Sequence, residues 1–133
     1  MAITILIADD YEDNRELLSL LLKAAQYQVC EARDGAECLV LAQSELPDLI
    51  MIDLSMPVLD GWGVFQRLRA DERTAGIPCV AVTAHADTDR ERALAAGFNA
   101  YISKPFRGGE LIEIVKSMVP ADKTKTHLAI IEN

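Results

Sequence analysis

Leu49-Ile50-Met51-Ile52-Asp53-Leu54-Ser55-Met56-Pro57 is the stretch that decides how this chain is read. An unbroken apolar run ends in a carboxylate, and a turn follows at once. Apolar residues on both alternating faces mark a strand covered on both sides, which is the habit of a parallel sheet. Asp53 then stands at the strand's carboxyl end, facing a crevice. Three other runs end alike. Ile3 to Ala8 closes in Asp9-Asp10, Cys79 to Val82 in Thr83, and Ala100 to Ser103 in Lys104-Pro105. If these strands are parallel neighbours, three acids, a hydroxyl and a lysine converge on one sheet edge. That constellation suits a divalent cation and a phosphoryl group.

The segments between the runs have helical character. Leu17, Leu18, Leu21, Leu22 and Ala25 recur at helical spacing, with Glu12, Asp13, Arg15 and Lys23 on other faces. Tyr27 to Ala32 forms the next strand, and its polar Glu31 predicts a sheet edge. Asp34-Gly35 turns the chain into a helix carrying Leu39, Val40 and Leu41, which stops before Pro47. Asp60-Gly61 turns it into a third helix with Val64, Phe65 and Leu68. A fourth helix, from about Asp87 to Ala96, is charged early and ends at Gly97, a left-handed cap. Gly108-Gly109 opens a fifth, carrying Leu111, Ile114, Val115, Met118 and Val119. Two glycines there cost about 1 kcal/mol each relative to alanine. Five βα units in strict alternation predict an α/β fold, a doubly wound five-stranded parallel sheet with right-handed crossovers. Such sheets carry their site at the strands' carboxyl ends, where strand order reverses.

The chain has 133 residues, half of them hydrophobic, which fits one core of ordinary size. We expect one domain over residues 1–120 and a flexible tail over 121–133, polar except for Leu128-Ala129-Ile130-Ile131. The net charge of −8 disfavours nucleic acid and anionic membrane as partners. No stretch is long and apolar enough to span a bilayer, and the N-terminus enters a strand without signal-peptide features. Cys30, Cys38 and Cys79 are scattered and form no Cys-x-x-Cys pair. Reduced thiols in a cytoplasmic protein are the reading that follows.

Asp9, Asp10 and Asp53 repel one another unless a cation joins them. Mg²⁺ is the natural candidate, with Mn²⁺ as an alternative, because it binds one or two carboxylates together with phosphate oxygens. Lys104 and Thr83 suit the oxygens of a phosphoryl group, and an aspartate carboxylate can itself be the nucleophile that becomes an acyl phosphate. Taken singly, each acid reads as a helix cap and Lys104 as a salt-bridge partner; four strand ends in agreement outweigh that.

The ordered set of motifs resembles the response-regulator receiver domain of two-component signalling, from about Ile3 to Val119. It comprises Asp9-Asp10, Asp53-Leu-Ser-Met-Pro-Val-Leu-Asp-Gly61, Val82-Thr83-Ala84-His85-Ala86 and Tyr101-Ile-Ser-Lys104-Pro105-Phe106. The resemblance implies a flavodoxin-like (βα)5 sheet of order 2-1-3-4-5, which alternation alone does not supply. It implies that Asp53 is the phosphoacceptor. It also implies that Asp10 and Asp53 ligate the metal directly, Asp9 through water, and Ser55 through its carbonyl. Thr83 and Lys104 then bind phosphoryl oxygens, and the Lys104–Pro105 peptide is cis. Tyr101 matches the family's switch aromatic, and Ser55 and His85 occupy positions that tune the phosphoryl lifetime.

The function expected is a phosphorylation-dependent signalling switch rather than an enzyme, since it promotes only its own phosphorylation and dephosphorylation. A sensor histidine kinase or histidine phosphotransfer protein supplies the phosphoryl group. A protein partner then reads the face made by the fourth helix, fifth strand and fifth helix. Because the chain ends soon after the fifth helix, a stand-alone monomer or weak homodimer is expected. The alternatives are a phosphorelay intermediate, an unphosphorylated scaffold and an aspartate-nucleophile phosphatase. The phosphatase pattern has two acids one residue apart after the first strand, whereas here they are adjacent. A flavin or nucleotide carrier needs a glycine- or hydroxyl-rich first loop, and Asp9-Asp10-Tyr11-Glu12-Asp13 is acidic instead.

Overall fold

The computed structural model describes residues 2–119; the Leu128–Ile131 segment and the expected tail lie outside the described residues. The elements are β1 Thr4–Ala8, α1 Glu12–Ala24, β2 Gln28–Ala32, α2 Gly35–Glu45, β3 Leu49–Asp53, α3 Gly61–Ala70, β4 Cys79–Thr83, α4 Ala86–Ala96, β5 Ala100–Ser103 and α5 Gly108–Met118. All strand pairs are parallel, in the order β2-β1-β3-β4-β5. β3 therefore lies at the centre and is buried along its whole length. β2, the strand with Glu31, is an edge.

Strand residues alternate between faces, and the alternation sorts the core in two. Ile5, Ile7, Leu49, Met51, Val80, Val82 and Ile102 pack with Leu18 and Leu22 of α1 and with Leu111 and Val115 of α5. Leu6, Ala8, Ile50, Ile52, Cys79 and Ala81 face the other way. They pack with Cys38 and Ala42 of α2, Val64, Phe65 and Leu68 of α3, and Ala93 of α4. Of α4, Ala93 is the buried residue.

The helix ends follow local chemistry. Asp34 and Asp60 are N-caps, accepting from the Glu37 and Gly63 amides at 2.8 and 2.9 Å, as short acidic side chains at that position do. Gly97 closes α4 at φ 113, a conformation that glycine adopts at no steric cost. Two expectations about α1 fail. Leu17 belongs to the helical apolar pattern yet is exposed. Arg15, read as lying on an outer face, is 9 % exposed. Its Nη1 donates to the Asp9 carbonyl at 2.9 Å and its Nε lies 3.4 Å from Glu31. The guanidinium thereby ties the edge strand to the end of β1. α4 also starts at Ala86, one residue earlier than its charge pattern suggests.

The three cysteines are free, with Cys38 and Cys79 buried and Cys30 half-buried. Burial, with Cys79 nearby, pushes the Cys38 thiol up to about 12; burial pushes Cys79 up to about 11. In the unfolded chain both ionise near 9. Above that pH the unfolded chain holds fewer protons than the native one, so stability falls as pH rises toward 11. The limiting slope is about 1.4 kcal/mol per pH unit for each thiol. Urea titrations at pH 8 to 10.5 should show Cys38→Ala flattening this loss; an unchanged slope would contradict the assignment.

Candidate functional site

Continuing each strand's alternation by one residue explains which side chains meet. Asp9 follows the parity of Ile5 and Ile7, Asp53 that of Leu49 and Met51, and Lys104 that of Ile102, so all three belong to the α1/α5 side. Thr83 shares parity with Cys79 and Ala81 on the opposite side, where Tyr101 also packs. The pleat thus separates an acid–lysine group from a threonine–tyrosine pair at one edge of the sheet.

Distances agree with this sorting. Carboxylate oxygens of Asp9, Asp10 and Asp53 lie within 4.8 Å of one another. Lys104 Nζ is 3.3 Å from Asp9 Oδ2 and 3.1 Å from Asp53 Oδ2. Asp9 and Asp53 are buried at 1 and 4 % exposure, whereas Asp10 is exposed. The Asp9 carboxyl is held above the usual aspartate range by burial, and the Asp53 charge adds to the rise. The Tyr11 amide, donating at 2.9 Å, and Lys104 oppose it. The Ser55 amide donates to Asp53 Oδ1 at 3.0 Å, and the Lys104–Pro105 peptide is cis. An all-oxygen set of three converging carboxylates, one exposed, fits a hard divalent cation such as Mg²⁺.

The Thr83 hydroxyl is not directed at Asp53. It donates to Asp89 Oδ2 at 2.7 Å and accepts from the His85 amide at 2.8 Å. Asp89 was missed in the sequence because an acid in a helix's first turn reads as a favourable dipole partner facing solvent. Tyr101 is half-buried, with the Arg90 guanidinium 5.4 Å above its ring. A cleft of about 680 Å³ opens beside Asp10, lined by Asp10, Ser55, Met56, His85, Asp89 and Arg92 among others. Arg92 is stacked on Trp62 at 4.0 Å.

Gly61 is the backbone's contribution to this site. A Cβ there would stand 2.5 Å from the Asp53 carbonyl oxygen and 2.7 Å from the Leu54 Cα. α3 can start directly against the end of β3 only because that atom is missing.

Fold and site together define a doubly wound α/β protein with a carboxylate–lysine pocket at its switch point. The chain belongs to the response regulator receiver domain family, whose profile matches residues 5–116. Proteins of this family are phosphorylation-dependent signalling switches of two-component systems. It is 40% identical over 118 residues to the polar-differentiation response regulator DivK of Brucella ovis, covering 88% of this chain and 96% of that protein. It is 41% identical over 116 residues to the DNA-binding dual master transcriptional regulator RpaA of Synechocystis sp., covering 86% of this chain. The chain spans 48% of RpaA, about half its length. Among solved structures, Vibrio cholerae chemotaxis protein CheY4 superposes with a TM-score of 0.84 at 27% identity, covering 90% of this chain and 100% of that one. The receiver domain of sensor histidine kinase PA1611 from Pseudomonas aeruginosa PAO1 does so at 0.82 and 34%, covering 89% and 98%. That structure holds a magnesium ion in its active-site cleft. No helix among the described residues is long and apolar enough to cross a membrane.

Proposed function

We propose that this chain is a phosphorylation-dependent switch in which Asp53 accepts a phosphoryl group from a histidine kinase or histidine phosphotransfer protein. The observation that carries the reading is the Asp53 carboxylate, buried at the end of the central strand, 3.1 Å from Lys104 Nζ and beside Asp9 and Asp10. An Asp53 oxygen attacks phosphorus of the phosphohistidine. An O–P bond forms, the N–P bond breaks, and the departing imidazole keeps the electron pair. Asp9, Asp10, Asp53 and the Ser55 carbonyl are the proposed Mg²⁺ ligands. When bound, Mg²⁺ neutralises charge on the transferring oxygens. Lys104 adds a fixed positive charge on the same side.

Ser55 and His85 are both exposed and line the cleft. We assign them to control of water's access to the acyl phosphate, and so to its lifetime. The output face is α4, β5 and α5, read by a protein partner rather than by nucleic acid or membrane. One domain over residues 1–120, acting as a monomer or weak homodimer in the cytoplasm, completes the reading.

The test is labelling with a phosphorylated histidine phosphotransfer protein or a small acyl phosphate, mapped by mass spectrometry. The label is expected on Asp53 in millimolar Mg²⁺ or Mn²⁺ and absent in EDTA. Full labelling in EDTA, or a label on another residue, refutes the reading. In the same assay, Ser55→Ala and His85→Ala should alter the decay of the label more than its appearance; unaltered decay in both removes the lifetime role.

A further inference from the structure

One hydrogen bond is opposed to the chemistry of the cleft. A threonine hydroxyl has a single proton to donate. In this structure Thr83, 1 % exposed, donates it to Asp89 Oδ2 at 2.7 Å, within the range of a charge-assisted O–H···O⁻ bond. Thr83 Oγ1 itself accepts from the amide of His85, the residue that caps α4. A phosphoryl oxygen on Asp53 can receive the Thr83 proton only if Asp89 gives it up. The next residue along α4, Arg90, rests over the Tyr101 ring at 5.4 Å. Consecutive residues of the most thinly buried helix thus engage both members of the threonine–tyrosine pair.

We infer that Asp89 is a positioning residue: it latches Thr83 away from Asp53 in the unphosphorylated protein and sets how strongly phosphorylation must pull to release α4. This rests on the acceptor role proposed for Asp53. Phosphoryl oxygens and the Asp89 carboxylate compete for one proton, so in the phosphorylated protein the released conformation is populated only to the extent that the phosphoryl group wins.

The experiment titrates the full chain with beryllofluoride, a phosphoryl mimic, in saturating Mg²⁺, and follows backbone amide shifts. Asp89→Ala should bind the mimic about tenfold more tightly than wild type. Asp89→Asn keeps an acceptor of the same shape without the charge and should fall between. Asp87→Ala removes an acid from the same helical turn and should leave binding unchanged. A merely structural effect of Asp89 on α4 would persist without the threonine hydroxyl. The latch would not, so in a Thr83→Ala background Asp89→Ala should change the affinity less than about twofold. Wild-type affinity in both Asp89 variants, or a full effect of Asp89→Ala without the hydroxyl, overturns the latch. If the wild type does not bind the mimic at Asp53, the acceptor reading fails and the latch with it.

Discussion

Asp53→Asn should lose phosphoryl labelling by at least about 10³-fold, because an amide oxygen is not a nucleophile that can form the acyl phosphate. The side chain keeps its shape, and its Oδ1 can still accept from the Ser55 amide. The position facing Lys104 Nζ becomes an NH₂ group, so one ion pair is lost while that to Asp9 stays. Circular dichroism and the amide spectrum away from the cleft should therefore match wild type. Labelling of the variant at a rate within tenfold of wild type would place the acceptor elsewhere.

Gly61→Ala should destabilise the protein by on the order of 3 kcal/mol, since the added Cβ meets backbone atoms of Asp53 and Leu54 that cannot swing aside. In Tm this is roughly 10 °C for a domain of this size. The same displacement moves the backbone of Asp53, the proposed acceptor, so labelling should slow even at temperatures where the variant is folded. Gly109→Ala is the opposite case. Its Cβ meets nothing within 4 Å and it lies in the first turn of α5. Alanine there should stabilise by about 0.5–1 kcal/mol. Equal thermal shifts for the two variants, measured by calorimetry, would show that contact at Gly61 is not what makes glycine necessary.

Much of the architecture was legible because burial on two faces leaves a continuous apolar run, and because each run stops at a residue of opposite character. Glu31 marked β2 as an edge for the same reason. Asp9, Asp53 and Lys104 were legible as a group once the strands were taken as neighbours. Arg15 and Asp89 were not. Their partners are a β1 carbonyl and Glu31 for the arginine, and a β4 hydroxyl for the aspartate. A charged residue on a helix carries no sign in sequence that a backbone or hydroxyl group of another element will engage it. Thr83 does stand at the end of β4, but the direction of its hydroxyl depends on Asp89 and could not be read from strand order.

The thin burial of α4 has a thermodynamic consequence. Heat-capacity changes follow the apolar surface exchanged with water, and α4 has Ala93 inside while Leu94 stays exposed. A rearrangement confined to this helix moves little such surface. Its enthalpy is then nearly independent of temperature, and the balance between resting and active forms should trace a straight van 't Hoff line. A helix anchored by several buried leucines would bend that line, so that the enthalpy of the transition itself would change with temperature.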